Sequence, residues 1–244
     1  MDNEFLERHR RHLLLKDIGG PGLAKLRAAR ISLVGAGALG GPAALYLAAA
    51  GVGTIDIWDD DTVDLSNLQR QVQFSTGDIG ARKVDMLAAR LAELNPDCIV
   101  NTHASRVAAS TEIAGEILLD ATDNYQTRFA LNALAHTSRR HLVSGAAIAW
   151  TGQVSVFSSG LQNNAPCYRC LVPQEPPAPA DCSTEGVVGA VTGIVGARMA
   201  LECLKLITGA GEPLIGRLWR FDGLSGETKI SKLRPDPECS VCGP

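Results

Sequence analysis

Residues 31–40 read Ile-Ser-Leu-Val-Gly-Ala-Gly-Ala-Leu-Gly, and this stretch decides the fold of the 244-residue chain. A short apolar run ends in a glycine-rich turn, and the alanine-rich sequence from Pro42 onward predicts a helix. Such glycines let the backbone approach a phosphate or a ribose, and a helix N-terminus favours anions. Asp59 ends the next predicted strand, where an acid can hold ribose hydroxyls. The pattern predicts a nucleotide-binding fold without specifying the nucleotide; a turn that serves packing alone is the less favoured alternative.

Predicted strands and helices alternate up to about residue 146, which is typical of a mostly parallel sheet with helices on both faces. Beyond it we predict a half-exposed strand, a Pro- and Cys-rich loop over 163–185, a long helix over 187–207 and two antiparallel strands. The sequence therefore predicts an α/β fold, a modified Rossmann-like doubly wound sheet with a mixed C-terminal part. We expect one domain, 1–244, with a helical arm (1–29), a nucleotide-binding part (30–146) and a C-terminal part (147–244).

Composition and charge exclude several classes of protein. The net charge is −3, with no long run of one sign, which argues against bulk binding of nucleic acid. The N-terminus does not resemble a secretory signal, and glycine breakers or alternating polar residues interrupt both uncharged stretches, so we predict no membrane segment. Seven cysteines without a secretory signal favour metal or catalytic roles over disulfides and predict a cytoplasmic location.

A polar block follows the second predicted strand, where open α/β sheets bind ligands. It combines acids and amides with two cations, which suits a triphosphate whose charge must be neutralised as pyrophosphate leaves. A solvated polar loop explains the block about equally well when the residues are considered alone. The candidate ligands are Asp61, Ser66, Asn67, Arg70 and Gln71, together with Lys83.

A second polar cluster, Asp120-Ala-Thr-Asp-Asn124, lies between a predicted strand and a predicted helix. Asp123 is a candidate ligand of Mg²⁺, and Asn124 could cap the helix or contact a ligand. Arg128, one turn on, would point the same way. Capping alone explains an acid or an amide here, so only the position at the same sheet edge favours a functional role.

Four cysteines of the C-terminal part form two C-x-x-C pairs. Cys167 with Cys170 and Cys239 with Cys242 supply four thiolates, enough to close a tetrahedral zinc site. Such a site has no open position, so it would be structural and would fasten the C-terminal tail to a distant loop. A redox role is the alternative for C-x-x-C, although two pairs favour zinc. Cys182 belongs to no pair; it is either a nucleophile near a helix N-terminus or, as the residues alone favour, an inert loop cysteine.

Three of these motifs resemble one family: Ser66-Asn-Leu-Gln-Arg-Gln71, Thr122-Asp-Asn124 and Cys167-Tyr-Arg-Cys-Leu171. The chain resembles the ThiF/MoeB/HesA adenylyltransferases, bacterial relatives of ubiquitin-activating enzymes, from Arg8 to the last cysteine. The resemblance implies a dimeric enzyme that binds ATP and Mg²⁺ at the glycine loop, with residues 147–244 binding a ubiquitin-like sulfur-carrier protein. The C-terminal Gly-Gly carboxylate of the carrier would attack the α-phosphate and release pyrophosphate. No histidine lies in any motif, as expected because a carboxylate nucleophile needs no general base.

The resemblance also implies individual roles. Asp59 would hold the ribose, Asp123 would bind Mg²⁺, and Arg11 would reach into the site of the partner subunit. Cys182 matches a thiol that links covalently to the carrier in the thiamine branch. The expected catalytic residues are Arg11, Arg70, Lys83, Asp123 and Cys182. The expected nucleotide-binding residues are Gly35, Gly37, Ala38, Gly40, Asp59, Asp61, Ser66, Asn67, Arg70, Gln71, Lys83, Asp123, Asn124 and Arg128.

Ala38 departs from the family pattern, because it stands where the loop G-x-G-G-x-G usually has its middle glycine. The change is mild if its φ is negative, and it strains the loop if φ must be positive. Residues 42–48 and Phe221-Asp-Gly223 look more like ThiF than MoeB, which favours a ThiS-type carrier of thiamine biosynthesis over a MoaD-type carrier of molybdenum cofactor biosynthesis.

Sulfur would come from a separate sulfurtransferase or cysteine desulfurase, because no appended sulfurtransferase domain is recognisable. Two other classes of protein remain as alternatives. An NAD-dependent oxidoreductase shares the glycine loop and Asp59, but it leaves the polar block and the paired cysteines unexplained. A zinc scaffold without catalysis predicts ATP binding and no turnover.

Overall fold

A computed structural model describes residues 3–176 and 185–243. The helices within those ranges are α1 (Asn3–Arg8), α2 (Arg10–Leu13), α3 (Gly19–Ala28), α4 (Gly40–Ala49), α5 (Lys83–Leu94), α6 (Tyr125–Thr137), α7 (Tyr168–Leu171) and α8 (Gly189–Thr208). The strands are β1 (Arg30–Val34), β2 (Thr54–Trp58), β3 (Ile99–His103), β4 (Ile117–Asp120), β5 (His141–Ile148), β6 (Thr151–Phe157), β7 (Arg217–Asp222) and β8 (Thr228–Lys232). None of these helices has both the length and the apolar character needed to cross a bilayer.

The strands form one sheet in the order β3-β2-β1-β4-β5-β6-β7-β8. The pairs from β3 to β5 are parallel, and the pairs from β5 to β8 are antiparallel. The parallel order matches that of a Rossmann-type sheet, in which the chain builds outward in both directions from β1. The predicted α/β fold with a mixed C-terminal part is therefore confirmed.

Helices cover both faces of the sheet because successive strand residues point to opposite sides. On β4, Leu118 belongs to one buried apolar cluster and Leu119 to the other, and Leu142 and Val143 of β5 divide in the same way. The larger cluster includes residues of α3, α4, α5 and α8, and the smaller one includes residues of α6 and α7. The core therefore consists of two layers, one on each side of the sheet.

The ends of two helices have clear local causes. Within the predicted helical arm, α3 begins at Gly19 although Gly19-Gly-Pro-Gly22 is rich in residues that break helices. Pro21 fits there because a proline in the first helical turn gives up no hydrogen bond. Helix α6 begins at Tyr125, because the side chain of Asn124 accepts a hydrogen bond from the backbone N–H of Thr127 (2.9 Å) and caps the helix, which is one of the two roles suggested for Asn124 by the sequence.

The carboxyl ends of three parallel strands meet at one edge of the sheet. Val34 of β1 pairs with Trp58 of β2 on one side and with Asp120 of β4 on the other. The turns after these residues are therefore neighbours, although they come from distant parts of the chain. This edge includes the point where the strand order reverses, which is where open α/β sheets bind ligands.

Candidate functional site

A cleft lies at this edge of the sheet and gathers most of the residues that the sequence predicts to bind a nucleotide; we call it the first cleft. Its walls come from the glycine turn, the end of β2, the polar block, the start of α5 and the turn before α6. The predicted residues that line it are Gly35, Gly37, Ala38, Asp59, Asp61, Arg70, Gln71, Lys83, Asp123, Asn124 and Arg128.

The glycine turn needs glycine where backbone segments approach closely. Gly35 has φ +97°, and a Cβ there would lie 2.7 Å from the carbonyl oxygen of Ala121. Gly40 does not line the cleft, but a Cβ on it would lie 1.8 Å from the carbonyl oxygen of Gly35. Ala38 lies outside the left-handed region. Its side chain therefore fits the turn without backbone strain, and the departure from the family pattern is mild.

Asp59 connects the end of β2 to the glycine turn. Its carboxylate accepts hydrogen bonds from the backbone N–H of Ala36 (2.7 Å) and of Asp61 (2.8 Å). Burial raises the pKa of Asp59, and these two backbone donors only partly offset that effect. The carboxylate is thus fixed beside the turn, in the position where a ribose is expected.

Two cations of the first cleft are held by different contacts. Lys83 Nζ lies 2.7 Å from Asp61 Oδ2; the lysine side chain is 7% exposed and that of the aspartate is 62% exposed. Arg70 Nη1 donates to the backbone carbonyl of Ser66 (3.0 Å). Both cations line the cleft, and their charges suit a polyanionic ligand.

The polar block divides into residues inside and outside the first cleft. Asp64 accepts from the backbone N–H and the hydroxyl of Ser66 (2.8 and 2.6 Å), and together with Asn67 it caps a one-turn helix. Ser66 and Asn67 do not line the cleft, whereas Arg70 and Gln71 do. The structure therefore places Ser66 and Asn67 in the loop that carries Arg70 and outside the first cleft.

Arg128 is buried between the turn before α6 and the end of β5. Its Nη2 donates to the carbonyl oxygens of Thr122 and Gly145, and its Nη1 donates to the hydroxyl of Tyr168 (3.4 Å). Burial disfavours its charge, but the carboxylate of Asp120 together with Tyr168 and Tyr125 outweighs burial and raises the pKa of Arg128. The guanidinium group therefore stays charged in a buried position.

A second cleft, with a volume of about 900 Å³, adjoins the first. Asp123, Arg128 and Ala147 line both clefts. The second cleft continues over β5, β6, β7 and β8, and its walls include Ile148, Gln153, Tyr168, Arg220, Phe221 and Lys229. Asp123 and Arg128 thus mark the junction of a polar cleft and a larger mixed one.

The four paired cysteines come together as predicted. Their Sγ atoms all lie within 4.8 Å of one another; Cys167 and Cys239 are 3.5 Å apart, and Cys170 and Cys242 are 3.4 Å apart. Tetrahedral zinc with Zn–S bonds of about 2.3 Å needs sulfur pairs about 3.8 Å apart, so the cluster fits zinc with little adjustment. None of the four lines either cleft, which agrees with a structural role.

The sequence comparison identifies the family. Residues 9–241 match the model of the ThiF family. The chain belongs to the ThiF family. It is 43% identical, over 98% of its length, to the adenylyltransferase and sulfurtransferase MOCS3-2 of Zea mays, of which it covers 51%. It is 40% identical, over its full length, to the SAMP-activating enzyme E1 of Haloferax volcanii, of which it covers 91%.

The chain spans about half the length of the MOCS3 relatives that it matches. Among solved structures, Escherichia coli MccB crystallised with ATP aligns over 100% of this chain and 75% of its own, with a TM-score of 0.84 and 19% identity. That similarity shows that MccB and this ThiF-family chain share a fold.

One catalytic candidate taken from the family resemblance lies outside both clefts, and another lies outside the described residues. Arg11 is exposed on α2 and lines neither cleft of its own chain, and its role in a partner subunit stays a prediction. Cys182 lies outside the described residues, so its role stays a prediction.

Sequence reasoning missed several residues around the first cleft of this ThiF-family chain. Gln73 is buried, and its Nε2 donates to the carbonyl oxygens of Ala36 (2.9 Å) and Gly37 (3.0 Å), bracing the glycine turn. Trp58 and Arg106 line the wall near Asp59, where Arg106 lies 3.4 Å from Asp60. The only sequence signal for the role of Gln73 is its position just after the polar block. No residue pattern around Arg106 indicates a place at the cleft.

Proposed function

We propose that this ThiF-family chain is an ATP-dependent adenylyltransferase that activates the C-terminal carboxylate of a ubiquitin-like sulfur-carrier protein. The observation that carries the proposal is the junction of the two clefts at Asp123 and Arg128. The first cleft offers a glycine turn, a ribose ligand and two cations to a nucleotide. The second is large enough for an extended peptide tail, so a tail carboxylate and an α-phosphate can meet at the junction. The names of the relatives, adenylyltransferase and SAMP-activating enzyme, support this assignment.

The reaction joins one carboxylate oxygen to the α-phosphorus and breaks the bond from that phosphorus to the oxygen bridging to the β-phosphate. The products are an acyl-adenylate and pyrophosphate. A carboxylate is already ionised at neutral pH, so no side chain has to remove a proton. Catalysis then rests on positioning and on neutralising the leaving pyrophosphate. Asp59 would hold the ribose, while Arg70 and Lys83 would neutralise phosphate charge.

The metals take separate roles in this proposal. Asp123 presents an exposed carboxylate at the junction, and Mg²⁺ commonly binds one or two carboxylates together with phosphate oxygens and water. The ion would add positive charge beside the phosphates. Zinc at the four cysteines would hold the C-terminal tail and take no part in the reaction.

The type of carrier is revised from the sequence expectation. The relatives carry MOCS3 names, which favour a MoaD-type carrier of molybdenum cofactor biosynthesis over the ThiS type of thiamine biosynthesis. We therefore propose a MoaD-type carrier first and retain the ThiS type as the alternative. A separate sulfurtransferase or cysteine desulfurase stays a prediction.

A homodimer is part of the proposal. Helices α4 and α8 pack against each other and carry large apolar side chains that face solvent. Tyr46 is 58% exposed and Leu201 is 47% exposed, and Leu14, just after α2, is 72% exposed. Covering such side chains with a second copy would stabilise a dimer, and it would bring the exposed Arg11 towards another chain.

The test is carrier-dependent exchange of labelled pyrophosphate into ATP, measured separately with a MoaD-type and a ThiS-type carrier. We expect exchange with the MoaD type and none with a carrier that lacks its Gly-Gly end.

Arg70→Ala should lower the exchange rate by about 100-fold or more, as expected for a donor to transition-state charge. Arg90→Ala, on α5 and outside both clefts, is the matched control and should leave the rate unchanged. No exchange with either carrier contradicts adenylation; exchange with the ThiS type alone contradicts the carrier type.

A further inference from the structure

We propose that Tyr168 is a positioning residue that holds Arg128 at the junction of the two clefts. Tyr168 is 2% exposed, and its hydroxyl accepts a hydrogen bond from Arg128 Nη1 (3.4 Å). It follows Cys167 directly in the chain, so it connects the four-cysteine cluster to a residue of the site. The consequence for turnover rests on the proposed adenylation.

Three of the five N–H donors of Arg128 are engaged, so two are left for other acceptors. Its Nη1 and Nη2 groups are engaged by Tyr168, Thr122 and Gly145, while its Nε is buried without a hydrogen-bond partner among the described residues. A buried donor without an acceptor is unfavourable, and such groups usually find one in a ligand or a water. Because Arg128 lines both clefts, we expect its guanidinium group to lie near an oxygen of the α-phosphate or of the carrier carboxylate.

Helix α6 contacts residues 167–168, at the start of the cysteine-bearing segment, through two of its side chains that lie one turn apart. Asn132, four residues after Arg128, donates from Nδ2 to Cys167 Sγ (3.5 Å) and accepts at Oδ1 from the backbone N–H of Tyr168 (2.7 Å). Arg128 and Asn132 thus hold two consecutive residues of the loop, and Asn132 is 1% exposed. The position of the guanidinium therefore depends on a loop that the cysteine cluster fixes in place.

The aromatic ring of Tyr168 has packing contacts that do not need its hydroxyl. The centroid of the Phe157 ring lies 5.7 Å away in an edge-on arrangement, and that of Phe129 lies 5.9 Å away. Tyr168→Phe keeps these contacts and removes only the hydrogen bond to Arg128. The variant therefore separates positioning of Arg128 from packing of the core.

The first test needs no turnover and uses the Nε–H proton of Arg128 in the full chain without nucleotide. Its NMR resonance is assigned by its absence in Arg128→Lys. We expect slow exchange with water in the wild type and exchange about tenfold faster in Tyr168→Phe, since one hydrogen bond to a charged group is lost. An unchanged exchange rate and chemical shift would overturn the proposal.

The second test separates kcat from KM in pyrophosphate exchange. Tyr168→Phe should lower kcat by about tenfold and leave KM for ATP within about twofold, because the glycine turn and Asp59 still bind the nucleotide. Zinc content should stay at the wild-type value, and the melting temperature should fall by no more than a few degrees, because a single hydrogen bond is lost. Adding Tyr168→Phe to Arg128→Lys should lower kcat little further, because residues that act through one contact are not additive.

The matched control is Phe129→Leu, which weakens the same aromatic cluster but keeps the hydroxyl. It should lower the melting temperature and leave kcat unchanged. A wild-type kcat in Tyr168→Phe, or fully additive losses in the double variant, would overturn the positioning role. Failure of the wild-type protein to exchange pyrophosphate would contradict the proposed function instead, and the NMR test would still decide the role of Tyr168.

Discussion

Gly40 and Ala38 lie two residues apart in the glycine turn, and they differ in what surrounds them. A Cβ on Gly40 would lie 1.8 Å from the carbonyl oxygen of Gly35, whereas Ala38 already carries a Cβ in an ordinary backbone conformation. Gly40→Ala should therefore displace the turn and weaken ATP binding by about tenfold or more, because ligand positioning is lost. Ala38→Gly restores the common family pattern and should change the Kd for ATP by no more than about twofold. Titration calorimetry with ATP measures both.

Binding of ATP to Gly40→Ala with wild-type affinity would show that the turn can move without cost, contrary to the close contact. Strongly improved binding by Ala38→Gly would show that the alanine strains the turn. The two variants are matched, since each changes one methyl group in the same loop.

For single residues of the polar block, the sequence does not predict which side chains line the first cleft. Its pattern indicated Ser66, Asn67, Arg70 and Gln71 as one set, but only the last two line the first cleft. The division follows from the one-turn helix that Asp64 caps, which turns Ser66 and Asn67 towards Asp64. A spacing pattern shows which residue types are present, but the direction of a loop side chain depends on the packing around it.

At the scale of elements, the first two helices, α1 and α2, pack against the rest of the protein through His9, which lies between them. This side chain is 3% exposed and packs against Gly51, where a Cβ would lie 2.9 Å from His9 Cε1. Burial lowers the pKa of His9, and the positive charges of His12 and Arg8 lower it further, while Asp97 acts in the opposite direction. The folded arm therefore favours neutral His9.

This lowered pKa predicts how stability depends on pH. Below about pH 6.5 the unfolded chain binds a proton at His9 and the folded chain does not, so the free energy of unfolding falls as the pH falls. The melting temperature should decrease from pH 7.5 to pH 5.5, and His9→Gln should reduce that slope. His141, whose pKa burial also lowers, should account for part of the slope that remains. Equal slopes for wild type and His9→Gln would contradict a neutral His9 in the folded arm.

At the scale of the whole molecule, a shared site in a homodimer makes a test of Arg11 possible. Arg11→Ala and Asp123→Ala should each be inactive in pyrophosphate exchange. A mixed dimer has one site that combines an intact Asp123 with Arg11 of the other chain. Random mixing of the two variants should therefore restore about one quarter of the wild-type activity, because half of the dimers are mixed and each has one intact site.

The control is a mixture of two variants at the same position, Arg11→Ala and Arg11→Gln. This mixture should recover no activity, because no dimer in it has an intact Arg11. Light scattering of each variant should give the mass of a dimer. If the variants form dimers but their mixture stays inactive, the proposal that Arg11 acts in the site of the other chain is contradicted.

The four-cysteine cluster joins the C-terminal tail to α7 and to Cys167 just before it, so metal removal should act on the whole fold. Cys239→Ser should abolish stoichiometric zinc binding and lower the melting temperature, because a structural zinc site contributes directly to folding free energy. Cys98→Ser is the control, since Cys98 is a buried cysteine outside the cluster and should leave the zinc content at the wild-type level. Zinc content is measured by atomic absorption. Full zinc content in Cys239→Ser would contradict the four-thiolate site.

The sequence by itself determined the strand, glycine turn and helix around residues 31–49, the parallel part of the sheet and the set of four paired cysteines. These features are local, because hydrophobic periodicity, glycine position and cysteine spacing act over a few residues. Tertiary structure alone decided that Ala38 is unstrained, that Ser66 and Asn67 lie outside the first cleft, and that Tyr168 contacts Arg128 across 40 residues of chain. Such contacts depend on how β4, β5 and α6 pack together, and no short stretch of sequence specifies that arrangement.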